Sequence, residues 1–166
     1  MANTQAMCTS FMGQLLNGGH QFGTITLTSR TSLTAPTTDT FKAALYFASA
    51  TVNASTTAYS TTGEVTNTSG TGYTAGGVTV TNATAPIATN SSVTAGVAYW
   101  TPSASFSWSA LTVTTAFDTV LLYNSTQGNT AVSVHTFGSQ TVTAGTFTLT
   151  MPSNATTTAL LRLATT

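Results

Sequence analysis

The sequence is nearly without charge. Of its 166 residues, three are Lys or Arg and three are Asp or Glu, a charged fraction of 4% against about 25% in ordinary globular domains. The net charge is zero. Nothing therefore draws the chain to a phosphate backbone, and no nucleic-acid partner is expected. The three carboxylates, Asp39, Glu64 and Asp118, stand far apart in sequence, which argues against a local acid/base pair. Cys8 is the single cysteine, so no internal disulfide forms and the secreted disulfide framework is missing. With His20 and His135 the only histidines, the three or four ligands of a zinc site are hard to assemble within one chain. Neither a G-x-S-x-G nucleophile turn nor a glycine loop followed by Lys-Ser/Thr occurs. No run approaches the ~20 apolar residues that span a membrane, and the N-terminus lacks the basic n-region and apolar core of a signal peptide. These shortages lead to a set of expectations: no catalytic, cofactor-binding or metal-binding residue, no enzyme activity, no membrane partner, and folding in a cytoplasm.

What is present is apolar and hydroxylated. The hydrophobic fraction is 41%, with eight Phe, five Tyr and two Trp spread along the chain, and about a quarter of the residues are threonine. A disordered chain would be richer in charge and poorer in aromatics. Threonine is β-branched and suits a pleated, half-exposed surface. Its dominance predicts an all-β protein whose outer faces carry hydroxyls in place of charges. A neutral surface of this kind suits a protein packed against copies of itself or a partner.

The periodicity agrees. Residues 7–16, MCTSFMGQLL, place Met7, Phe11 and Leu15 on one face and predict the only helix, started by Thr9 or Ser10 and closed by Gly18–Gly19. That face serves either as an arm docking on a neighbouring subunit or as cover for the domain's own core. From Phe22 the period becomes two. Strands are expected at 22–28, 41–48, 77–82, 97–100, 103–108, 111–115, 119–124, 131–137 and 159–164, with two short alternating runs around Ala144–Gly145 within 141–152 and residues 83–96 loop-like. FKAALYFA is apolar on both faces, which predicts a central strand. The fold class that follows is an antiparallel β-sandwich, jelly-roll-like, with a short N-terminal helix. Residues 1–20 form an N-terminal arm or helix and residues 21–166 the β-sandwich domain.

The stretch Tyr59–Gly77, YSTTGEVTNTSGTGYTAGG, is too long for a hairpin turn. Its glycines supply backbone freedom, its two tyrosines can pin it, and Glu64 is its only charge. Loops of this length are functional, ordered excursions or flexible linkers. The sequence favours the first, with Glu64 accepting backbone N–H groups and reaching Lys42 or Arg162.

The run FKAALYFASATVNASTTAYSTTGEVTNTSGTGYTAGG resembles a family of tailed-bacteriophage virion structural proteins. So do CTSFMGQLLNGGHQF before it and ALTVTTAFDTVLLYNSTQGNTAVSVHTFG, TFTLTMP and ALLRLA after it. GTGYTAGG and LLYNST are the most specific pieces. One departure stands out: the FSWSALTV region often carries more acidic residues in that family. The resemblance implies a capsid cement or decoration protein, located in the virion capsid and assembled in the host cytoplasm. Its partner would be the major capsid protein, bridged by a homo-oligomer, with a trimer favoured. A tail or fibre component involved in host attachment is the alternative. The candidate interface residues are Phe11, Leu15, Tyr59, Tyr73, Trp100 and Trp108.

Overall fold

A strand that is apolar on both faces needs neighbours on every side, and FKAALYF has them. In the computed structural model, which describes residues 3–16, 18–23, 38–66, 72–81, 86–89 and 96–164, the elements run in a fixed order. They are β1 (Ala6–Met7), helix α1 (Thr9–Leu16), β2 (Phe41–Phe47), β3 (Val78–Thr79), β4 (Ile87–Thr89), β5 (Val97–Trp100), β6 (Phe106–Asn124), β7 (Thr130–Leu149) and β8 (Leu161–Ala164). Two antiparallel sheets result, a five-stranded one in the order β1-β7-β6-β2-β3 and a three-stranded one in the order β4-β5-β8. The architecture is all-β and sandwich-like. Phe41, Ala43, Ala44, Leu45 and Tyr46 of β2 are all buried. The strand expected at 22–28 lies, beyond Gly23, outside the described residues.

The two halves are joined by aromatic side chains. Phe22 stacks on Phe41 at 4.4 Å between ring centres and meets Trp100 of the smaller sheet at 4.9 Å. Phe11 of α1 contacts Phe22 edge-on at 5.8 Å. Fully burying one such ring is worth about 1.5–3 kcal/mol, so this cluster holds helix, large sheet and small sheet together. Helix α1 ends where its glycines require: Gly18 takes φ +68°, its N–H reaches the Leu15 carbonyl, and the Gly19 N–H reaches Gln14, a Schellman closure. Its Phe11 face turns onto the chain's own core. β1 pairs with β7 at Val134 and Ser133, so residues 6–11 are built into the body.

β6 and β7, at 19 and 20 residues, are far longer than the usual 3–10. The NSTQGN turn joins them, with Gly128 and Asn129 at positive φ. β2 pairs only with Phe117–Asn124 of β6. The remainder of the hairpin continues past it as a two-stranded ribbon. Register shifts interrupt the ribbon between Trp108 and Leu111, between Leu111 and Val113, and between Val113 and Phe117. Ala110 and Ala144 sit at φ +52° and +48°. Such bulges bend and twist a long ribbon.

Cys8 is fully buried, and burial pushes its thiol up to about 11. Since the thiolate is the reactive form, labelling by a thiol reagent at neutral pH is expected to be negligible in the native protein. It should become complete after unfolding in guanidinium, read as absorbance of the released chromophore.

Candidate functional site

Residues 67–71 of the stretch Tyr59–Gly77 lie outside the described residues; the rest of it, 59–66 and 72–77, is organised by its one charge. Gly63–Val65 lie along the edge of β2 next to β3: Phe47 N–H donates to the Gly63 carbonyl and Val65 N–H to the Leu45 carbonyl, each at 2.9 Å, and Glu64 bridges Tyr46. That turns the Glu64 side chain inward, where it is 3% exposed. Its Oε1 accepts from the Tyr73 hydroxyl and from the Gly76 N–H, both at 2.7 Å. Its Oε2 accepts from the Tyr59 hydroxyl at 2.6 Å. Tyr73 in turn accepts the Leu45 N–H at 3.1 Å, and Tyr123 donates to the Gly76 carbonyl at 2.8 Å. Tyr59 stacks on Tyr123 at 4.6 Å. The buried carboxylate is tolerated because three donors replace its water.

The partners differ from those the sequence suggested. Backbone N–H donation occurs, but tyrosine hydroxyls stand where Lys42 or Arg162 was expected. Among the described residues neither cation pairs with Glu64; Arg162 donates to the Thr156 carbonyl. Burial, reinforced by the hydrogen bond and the negative charge of Glu64, raises the phenols of Tyr59 and Tyr73 above the usual tyrosine range. Burial and the charge of Glu64 push Tyr123 up to about 12. All three are fixed donors at any physiological pH.

A second buried carboxylate closes the opposite end of β2. Asp39, 5% exposed, accepts from the Gln21 N–H at 2.9 Å, from Asn124 Nδ2 at 2.7 Å and from Gln127 Nε2 at 3.0 Å. Asn124 Oδ1 accepts the N–H groups of Thr126 and Gln127, which fixes its amide orientation. Its Nδ2 therefore donates to His20 Nδ1 at 3.0 Å. His20 carries its proton on Nε2, donated to Gln14 at 2.8 Å. Sequence reading missed this constellation, whose hydrogen-bonded partners lie up to 104 positions apart.

Burial lowers His20, against the opposing pull of Asp39, and burial drops His135 to about 4. His135 meets Ser133 at 2.8 Å and lines a cavity shared with Gln5 and Arg162. Both folded pKa values lie below the unfolded value near 6.5, so between them the unfolded chain binds more protons. The stability these neutral imidazoles contribute is complete above pH 6.5. It is expected to fall as pH drops toward 4, by up to about 1.4 kcal/mol per pH unit for each proton. Urea midpoints measured from pH 7.5 to 4.5 check this, and His135→Gln should flatten the profile.

Of the six residues singled out from sequence, the structure brings two groups together. Tyr59 and Tyr73 meet on Glu64. Phe11, Leu15 and Trp100 line an apolar groove of about 90 Å³ between α1 and the small sheet. Trp108 stands apart on the ribbon, stacked on Phe147 at 5.8 Å. Phe11, Tyr73, Trp100 and Trp108 are at most 4% exposed. They are core residues of the folded chain and not part of its free surface: alternation marks an inward face, and in these elements that face packs on the chain itself. Leu15 and Tyr59 are half-buried.

The remaining features offer little chemistry. Asp118, the third carboxylate, accepts from Asn3 and Thr119. Among the described residues, no three His, Cys, Asp or Glu lie together as a metal-binding group, and no helix is long and apolar enough to cross a membrane. Comparison of the chain with family models, with curated proteins and with solved structures yields no match.

Proposed function

We propose that this chain is a structural protein of a bacteriophage virion, a cement or decoration protein that stabilises the head by bridging capsid subunits as a homo-oligomer. The observation that carries the reading is the uncharged β6–β7 ribbon reaching past the rest of the large sheet. Between Asp118 and Arg162 the chain has no Lys, Arg, Asp or Glu, so this surface can approach a neighbour without repulsion and with little desolvation cost. The resemblance of the sequence to phage virion proteins supports the same reading. The carboxylates support a mechanical role over a chemical one: Glu64 and Asp39 spend both oxygens on hydrogen bonds within the fold, and Asp118 Oδ1 accepts from Asn3 and Thr119. Holding subunits together requires only that separation re-expose the buried contact.

Quantitative mass spectrometry of purified particles tests this. The expected result is many copies in fixed ratio to the major capsid protein. A handful of copies per particle would move the chain to the tail or a fibre, and absence from particles would end the proposal.

A further inference from the structure

Among the described residues, the outer edge of β7 is left open over much of its length. Near the turn it is covered by Thr57–Tyr59, which exchange backbone hydrogen bonds with Asn129 and Ala131, and then by β1 at Ser133–Val134. Beyond that, no described strand pairs with β7 on this side, and residues 138–141 are all exposed. An unpaired edge of this length is usually blunted by Lys, Pro or a buried charge. Residues 136–149 contain none of these.

The sequence of this edge is nearly its own mirror image. Around the midpoint between Ala144 and Gly145, TVTA is answered by GTFT. Thr141, Thr143, Thr146 and Thr148 are exposed, while Val142 and Phe147 are half-buried. The backbone has the same symmetry. Ala144 N–H turns to Thr112 on β6 at 3.0 Å, and Met151 N–H turns to Ser105 before β6 at 3.1 Å. Alternating outward from each, across the bulge, the N–H groups of all four threonines point away from β6.

We propose that this edge binds the same edge of a second copy of the chain, antiparallel about a two-fold axis, so that β6–β7 and its copy form one continuous sheet. Thr141 then faces Thr148 of the second copy and Thr143 faces Thr146, as hydrogen-bonded pairs contributing about eight backbone bonds. Val142 faces Phe147 on the inner side, in the closer, non-hydrogen-bonded position. Threonine pairs and aromatic–β-branched pairs are favourable across strands, and the lack of charge removes repulsion. Such a contact is isologous and closes as a dimer, unlike the trimer the resemblance implies. It deepens the homo-oligomer reading above but is tested apart from any particle.

Sedimentation of the full-length chain in solution is the test, with three forms compared. The natural chain is expected to dimerise with concentration. Thr143→Lys combined with Thr146→Lys places like charges opposite each other twice and should weaken dimerisation by about tenfold or more. Thr143→Lys combined with Thr146→Glu places opposite charges in the same pairs and should restore it. Both substituted positions are exposed on the edge, so thermal unfolding of the monomer should be little changed. Amide exchange supplies a second readout. The Thr141, Thr143, Thr146 and Thr148 N–H groups should be protected in the natural dimer and exchange quickly in the doubly lysine-substituted chain. A natural chain that stays monomeric, or lysine–lysine and lysine–glutamate forms that behave alike, would overturn the proposal. Failure to find the chain in virions would leave it standing.

Discussion

Replacing Glu64 with alanine is expected to destabilise the protein by about 3–5 kcal/mol, because it strands two buried donors and a half-buried one at once. Tyr73 and Gly76 would lose their shared acceptor at 2.7 Å and Tyr59 its own at 2.6 Å. Water cannot easily replace the carboxylate, since Tyr73 is 1% exposed. At about 2–4 °C per kcal/mol for a chain of this size, the melting temperature should fall by about 6–20 °C. Glu64→Gln is the informative companion. Its remaining carbonyl oxygen can still accept from Tyr73 and Gly76, and the Tyr59 hydroxyl can rotate to accept from the new amide. About 1–2 kcal/mol is the expected cost, the difference between charged and neutral acceptors. Equal losses in the two variants would mean that charge, and not the set of acceptors, holds the segment.

Gly77→Ala carries the second large effect. Gly77 takes φ +71°, a region that costs an L-residue about 1–2 kcal/mol. A Cβ there would also run into the carbonyl of Ala43, the residue through which β2 pairs with both Val78 and Leu122. Neither neighbour can yield without parting β3 from β2, so a loss of about 3 kcal/mol or more is expected. Gly128→Ala separates the two contributions. Its φ is +65°, and nothing lies within 4 Å of an added Cβ, so that variant should lose only the conformational part, about 1 kcal/mol. Denaturant midpoints of both variants against the natural chain give the comparison.

These two variants bracket a segment whose importance was visible in the sequence, though its chemistry was not. A lone carboxylate among glycines and tyrosines marks an organised loop. Nothing local says that its partners are hydroxyls, because Tyr73 and Gly76 reach it only after the chain has folded back along β2. The central strand was legible for a simpler reason: apolar residues on both faces of FKAALYF leave it no solvent side. The hairpin was legible only in pieces. Alternation resets at Ala110 and Ala144, where positive φ inserts bulges, so two long strands read as six short ones. β4 escaped notice because Ile87–Thr89 is only three residues long, too short for a period to show. The Asp39–Asn124–His20 constellation depends on β2 and β6 being adjacent, which no window of sequence contains. The same is true of the open β7 edge, which is defined by what does not pair with it.

The chemistry of the chain is turned inward. Its two most buried carboxylates fasten loops to the ends and edge of β2, its neutral imidazoles are partly withdrawn from solvent, and its only thiol lies in the core. What faces outward on the ribbon is backbone and small or uncharged side chains, threonine and serine foremost. Such a surface suits repeated contact with identical neighbours, where a charge would recur at every copy and repel itself.

A reconstruction of the intact particle at side-chain resolution tests the central claim most directly. The account predicts density for this chain on the head, seated across adjacent capsid subunits, with the β6–β7 ribbon in contact with a neighbouring protein. Density confined to the tail, or a chain on the head that touches a single capsid subunit with its ribbon bare, would contradict it.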